Sequence, residues 1–404
     1  MKKICRALVI ALAWSGLALS PAQSFDPARA SVVFANLAAD PNLKDPSVIL
    51  IDPTTGQTLF ESNSEALRKP ASTLKILTAV SVAKYLDPQM RFQTSLSLAS
   101  ETGAVVIQGD FDPWTTLGKG TADRLGITSI NYLAYSAQTA VDRDSEIKTK
   151  SLTIYYNGIY DSEALSMKKY LKTRKVNATL KEVSAIAAQR LVEEPIMNSQ
   201  SPTVTQISRY FTQWSDNVLS ERMSRIAARA AGFTSDAKGI AALYKSVLRD
   251  MDIDGSKIIV KDGSGLSHDN RLSAAILGKL LLKIHTDPAY AKVVESLPDG
   301  GINGTLNERF IKTAPQAIGL VHAKTGTLNG TVTLAGYVES VDREYIFVVL
   351  ADRLSRSYSA AKLARDTLDR YLGKIALPLL PVIVITQVVE TTTPINTTVS
   401  STTP

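Results

Sequence analysis

Hairpin-like strand patterns near both ends of the chain, with uninterrupted helical patterns between them, predict an α+β fold. Ser47–Asp52 is an apolar run, Pro53–Gly56 a turn signal, and Gln57–Phe60 continues extended, which reads as a strand pair. Pro70 precedes Ala71–Tyr85, rich in Leu, Ile, Val and Ala with no Gly or Pro, so a mostly buried helix is expected from near Ser72. From Leu96 to about Arg190 the character changes. Val105–Gln108 is strand-like, Gly109–Pro113 turns, a polar stretch follows, and a second strand is expected at Leu152–Tyr156. This region is expected to be an inserted subdomain, residues 99–194. Helical patterning returns at Val204–Trp214, Val218–Ala230 and, after the turn Asp262–Gly265, at Ser273–His285. Thr331–Glu339 and Glu344–Ala351, joined by Ser340–Arg343, form the second hairpin, and a last helix is expected at Ser359–Leu372.

The termini differ from this body. Lys2, Lys3 and Arg6 precede an apolar run from Ala7 to Ser20, roughly 14 residues, which is the length of a secretory signal core. Cleavage is expected after Ser24, with Ser20 as the alternative, so residues 1–24 read as a signal peptide and the mature chain as exported, to the periplasm or the cell wall. An uncleaved anchor is disfavoured, because spanning takes about 20 apolar residues. Residues 25–98 and 195–375 would then form the main domain. In the tail, 376–404, Pro378 and Pro381 break the apolar run Ile375–Val389, and Glu390–Pro404 is mostly Thr, Ser and Pro, which cannot bury a core.

Composition excludes several functions. The only cysteine, Cys5, lies in the signal, so no disulfide or thiolate metal site is expected in the mature chain. The formal charge of +7 is spread without a dense Lys/Arg run interleaved with aromatics, which argues against nucleic acid. No HExxH occurs and the three histidines are scattered, so no metal and no cofactor are expected.

The chemistry lies in three motifs in fixed order: Ser72-Thr-Leu-Lys75, Ser215-Asp-Asn217 and Lys324-Thr-Gly-Thr327. Ser-x-x-Lys on a helix puts both side chains on one face. A serine needs a base to become a nucleophile, and Lys75 serves only if burial and a nearby cation, such as Lys324, suppress its charge. Alone the motif is weak, since it recurs at Ser81, Ser145, Ser166, Ser235 and Ser359. Ser215 can relay a proton, and Asn217 can hold Lys75 and a substrate amide. Asp216 is expected to face away and structure the turn. On an extended segment Lys324 and Gly326 share a face, and the glycine would let a substrate backbone approach. Thr325 and Thr327 could bind a substrate carboxylate in the field of Lys324. The backbone N–H groups of Ser72 and Thr327 could form an oxyanion hole. The rival is a triad around His322, but no Gly-x-Ser-x-Gly elbow accompanies it.

With Asp262-Gly-Ser-Gly-Leu-Ser267, Asn303-Gly-Thr-Leu306 and Gly326-Thr-Leu-Asn-Gly330, these motifs resemble the D-alanyl-D-alanine carboxypeptidase/endopeptidases, the class C low-molecular-mass penicillin-binding proteins of peptidase family S13. The resemblance covers roughly residues 31–115 and 195–375. It implies a DD-peptidase/serine β-lactamase-like fold: an antiparallel sheet flanked by helices, a helical subdomain, and the active site between them. It also implies attack by Ser72 on the D-Ala-D-Ala bond of peptidoglycan stem peptides, cleavage of D-Ala–diaminopimelate crosslinks, and covalent inhibition by β-lactams. An acidic residue that the family's insertion directs to the site has no match here. A β-lactamase or esterase of the same superfamily, and a non-catalytic peptidoglycan-binding or β-lactam-sensing module, remain as alternatives.

Overall fold

The computed structural model describes residues 27–143, 149–341 and 343–378. The expected signal peptide and most of the tail lie outside these residues, as does Asp342 in the second hairpin's turn. Two five-stranded sheets organise what is described. The first is antiparallel throughout, in the order Val321–Leu328, Thr331–Ser340, Arg343–Ala351, Ser47–Ile51, Thr58–Ser62. Both expected hairpins are in it, joined because Ser47–Ile51 pairs with Arg343–Ala351 from the far end of the chain.

Alternation along these strands divides the core. Ile49, Ile51, Ile346, Val348 and Leu350 face the helical part of the molecule. Val48, Leu50, Phe347 and Val349 face the opposite layer, made by helices Pro27–Ala38 and Tyr358–Gly373. The helical part surrounds helix Lys75–Tyr85, which is buried continuously from Lys75 to Val82. Helices Val204–Trp214, Asn217–Ala230 and Ala237–Asp250 contact it. Helix Ala274–Thr286, capped by Ser273, covers the sheet beside them.

The second sheet belongs to the insertion. Its order is Asn177–Glu182, Ser151–Asn157, Ala104–Gly109, Gln93–Ala99, Val192–Gln200. The first three strands are parallel, and Gln93–Ala99 is antiparallel to both its neighbours. Helices Ile130–Arg143 and Asp161–Thr173 bury their apolar stripes on one face, where Leu96, Val105, Ile107 and Ile154 meet Leu133, Ala137, Met167 and Leu171. The expected limits at 99 and 194 therefore cut through two paired strands; the sheet runs from Gln93 to Gln200. Among the described residues no helix is long and apolar enough to cross a membrane.

Candidate active site

The nucleophile candidate does not sit in the first turn of an α-helix as expected. Ala71–Leu74 is a 3₁₀ turn, and the α-helix begins at Lys75. Ala71 has φ +48°, a left-handed conformation costing a residue with a Cβ about 1–2 kcal/mol. The Pro70 carbonyl holds this strained entry, accepting from the hydroxyls of Thr73 at 2.6 Å and Thr333 at 2.9 Å. In a 3₁₀ turn residues i and i+3 eclipse, so Lys75 stands directly over Ser72, with Nζ to Oγ 3.1 Å.

The fully buried Lys75 amine has two further contacts: Asn217 Oδ1 at 2.8 Å and the Ser264 carbonyl at 2.6 Å. Both of these oxygens can only accept. A neutral amine gives them its two N–H bonds and keeps its lone pair for the Ser72 hydroxyl, the arrangement a general base needs. Burial lowers the Lys75 pKa to about 8, while the carboxylates of Asp262 and Asp216 oppose the shift. Burial is thus the leading cause, and the two amines disfavour each other's charge: the Lys324 pKa is driven well below the ordinary value by its own burial and then by Lys75.

Helix Val204–Trp214 ends at Ser215, which is left-handed at φ +60°. Asp216 then caps the next helix, accepting from the Leu219 N–H at 2.8 Å. The reversal sends Ser215 and Asn217 inward and leaves Asp216 on the turn. Ser215 Oγ accepts from Lys324 Nζ at 2.9 Å. The motifs thus form two groups of contacts, Ser72–Lys75–Asn217 and Ser215–Lys324.

Asp262 delivers the Ser264 carbonyl. Its Oδ1 accepts from the N–H groups of Ser264 at 2.8 Å and Gly265 at 2.6 Å, and its Oδ2 from Ser267 N–H at 2.7 Å. Gly265, at φ +81°, presses this loop onto the nucleophile turn. A Cβ there would stand 1.9 Å from the Ala71 carbonyl oxygen.

On strand Val321–Leu328, Lys324 is fully buried and also donates to the Thr325 carbonyl at 3.0 Å. The Thr325 hydroxyl donates to Thr305 Oγ1 at 2.7 Å, and Thr327 is exposed. Gly326 does not provide the space expected of it. A Cβ there would lie 2.1 Å from Thr333 Oγ1 and 3.0 Å from both the Pro70 carbonyl and Ala71 Cβ. The missing side chain lets the strand abut the nucleophile turn, and leaves no room for substrate on that side.

His322 is committed elsewhere. Its Nδ1 meets Asp299 Oδ1 at 2.6 Å and its Nε2 meets Glu339 Oε1 at 3.1 Å, so neither ring nitrogen is turned toward a serine. Against burial, these carboxylates hold its pKa above the ordinary value. Among the described residues no group of three or more His, Cys, Asp or Glu side chains is arranged to hold a metal ion.

Beside Asn217 and Ser264 lies a cavity of about 680 Å³, also lined by Val218, Leu266 and Tyr160. The insertion's contribution here is thus an aromatic ring. Arg222 fixes it, with its guanidinium 3.7 Å from the Tyr160 ring centre and bonded to Glu163 at 3.0 Å and the Pro113 carbonyl at 3.1 Å. Ser264, Thr305 and Tyr160 were not among the expected site residues. The first two lay in segments the sequence singled out; nothing marked Tyr160.

The model of the D-Ala-D-Ala carboxypeptidase 3 (S13) family matches residues 31–124 and 139–375. Carboxypeptidase DacB of Mycolicibacterium smegmatis is 30% identical over 352 residues, 76% of each chain. Carboxypeptidase Rv3627c of Mycobacterium tuberculosis is 26% identical, over 84% of this chain and 80% of its own. The crystal structure of penicillin binding protein 4 from Haemophilus influenzae superposes with a TM-score of 0.64 at 16% identity, covering 84% of this chain and 97% of its own. At that identity the likeness carries the fold, which is DD-peptidase-like as expected.

Proposed function

Because the chain belongs to the D-Ala-D-Ala carboxypeptidase 3 (S13) family, a family of serine peptidases, we propose that it cleaves the D-Ala-D-Ala bond of peptidoglycan stem peptides through an acyl-enzyme on Ser72. The observation that carries the reading is the contact of Lys75 Nζ with Ser72 Oγ at 3.1 Å, made by an amine whose pKa is lowered to about 8.

Neutral Lys75 takes the Ser72 proton as Oγ attacks the scissile carbonyl carbon. The oxyanion forms between the N–H groups of Ser72 and Thr327; the close approach of Gly326 to Pro70 and Ala71 supports that pairing. Lys75 and Ser215 pass the proton to the leaving nitrogen, D-Ala departs, and the ester on Ser72 is hydrolysed by water. Asn217 orients the substrate amide. Lys324, with Thr325 and Thr327 on its strand, grips the terminal carboxylate, whose arrival restores the Lys324 charge. The cavity beside Tyr160 takes the stem residue before the cleaved bond. β-Lactams acylate the same serine, and the protein acts outside the cytoplasm, in the periplasm or wall. D-Ala–diaminopimelate crosslinks are cut by the same steps.

The test is release of D-Ala from stem peptides ending in D-Ala-D-Ala, in the unmodified chain and in Ser72→Ala. Release that vanishes in the variant supports the reading. Rapid penicillin turnover without D-Ala release would make the protein a β-lactamase instead, and stem-peptide binding without release a non-catalytic module.

A further inference from the structure

A second cavity, of about 390 Å³, lies along the exposed face of helix Val204–Trp214 where the insertion joins the helical part. Its floor is the pair Trp114 and Tyr210, with ring centres 4.3 Å apart. Arg91, Arg209, Gln206 and Gln213 stand around it, and no Asp or Glu lines it. Among the described residues neither arginine has an ion-pair partner; Arg91 donates to the Ser201 carbonyl at 2.9 Å. An aromatic pair, its rings tilted 40° to each other, with planar amides and unpaired guanidinium groups at its edge fits a pyranose ring with amide substituents and a carboxylate nearby.

This cavity is linked to the catalytic region by shared lining residues. It shares Trp114, Leu125 and Tyr210 with a depression that reaches Asp216, Val218 and Arg222. Val218 and Arg222 in turn line the cavity beside Asn217 and Ser264. Gln213, at the inner end, is two residues from Ser215. From Gln206 to Gln213 the helix rises about 10 Å, room for one sugar ring and the residue attached to it.

We infer that this cavity binds the amino-sugar end of the muropeptide, with the pyranose against the Trp114–Tyr210 pair and a free carboxylate of the stem on Arg91 and Arg209. The inference rests on the peptidase reading for its ligand, and its test separates the two. Equilibrium binding is measured on the full chain carrying Ser72→Ala, with a D-Ala-D-Ala stem peptide alone and with the same peptide bearing its disaccharide. The disaccharide is expected to tighten Kd about tenfold and Tyr210→Leu to bring the ratio close to one, while Arg91→Gln/Arg209→Gln, at two exposed positions, weakens both ligands alike because both carry the stem carboxylate. Equal affinities for the two ligands, a ratio unchanged by Tyr210→Leu, or affinities unchanged by the double arginine substitution, overturns the assignment. D-Ala release by the unmodified chain is scored in parallel. Sugar-dependent binding without release would sink the peptidase reading and keep the cavity; release with equal affinities would do the reverse.

Discussion

Replacing Gly265 by alanine isolates the contact that presses the Asp262–Ser267 loop onto the turn bearing Ser72. Two costs combine at this residue. Its φ of +81° disfavours any side chain, at about 1–2 kcal/mol. A Cβ would also stand 1.9 Å from the Ala71 carbonyl oxygen and 3.2 Å from Ser72 N, where real contacts stay beyond 3.0 Å. The loop or the nucleophile turn must therefore move by about 1 Å, a displacement that can cost about 10²-fold in rate. Gly103→Ala is the control. Its φ is +74° but nothing lies within 4 Å of the added Cβ, so it carries the backbone cost alone. The assay is the second-order rate of acylation by a fluorescent penicillin, with thermal melting alongside. Gly265→Ala is expected to lose about 10²-fold in rate and 1–2 kcal/mol or more in stability, and Gly103→Ala only the stability. Equal acylation rates in the two variants would refute the claim that this loop positions Ser72.

Three further outcomes follow from the charges. Acylation should rise with pH along a limb near 8 as Lys75 loses its proton; Asp262→Asn removes a charge that raises the Lys75 pKa, so the limb should move to lower pH, read from the pH profile of penicillin acylation. Arg222→Met leaves Glu163, which is 7% exposed, without its ion-pair partner, and should cost about 3–5 kcal/mol in denaturant melts; Glu163→Gln leaves the Arg222 charge, which is 16% exposed and still bonded to the Pro113 carbonyl, and should cost less. Burial lifts the Glu344 pKa to about 7, with Glu339 adding to the shift and His322 opposing it. The folded state therefore resists ionisation, and stability falls as pH rises from about 4.5 to 7. Glu344→Gln should stabilise by about 2–3 kcal/mol at pH 8 and by little at pH 5, measured by melting at both pH values.

The sequence made the body of the fold legible wherever a pattern was long and locally decided. Helix Val204–Trp214 and the hairpin from Thr331 to Ala351 emerge within a residue of expectation because apolar spacing and turn residues agree there. Helix Ile130–Arg143 lies in what was read only as a polar stretch and helix Asp161–Thr173 was not read at all, since each buries only a narrow stripe whose value depends on the sheet beneath it. The side chains of the three motifs were readable as chemistry, but their supports were not. Lys75 is held partly by a backbone carbonyl, at Ser264, which no side-chain pattern announces. The role of Gly326 was read backwards because alternation tells which face a residue occupies and not what fills the space there. The link between Tyr160 and Arg222 joins residues 62 positions apart and exists only once the insertion has docked.

The central claim is that a hydroxyl standing over an amine of lowered pKa takes the acyl group. Peptide mapping of the chain after brief exposure to penicillin tests it directly. The adduct is expected on Ser72, within the tryptic peptide Lys69–Lys75, and should be absent from Ser72→Ala. An adduct on Thr73, Ser215 or any other residue, or labelling that persists in Ser72→Ala, would contradict the account.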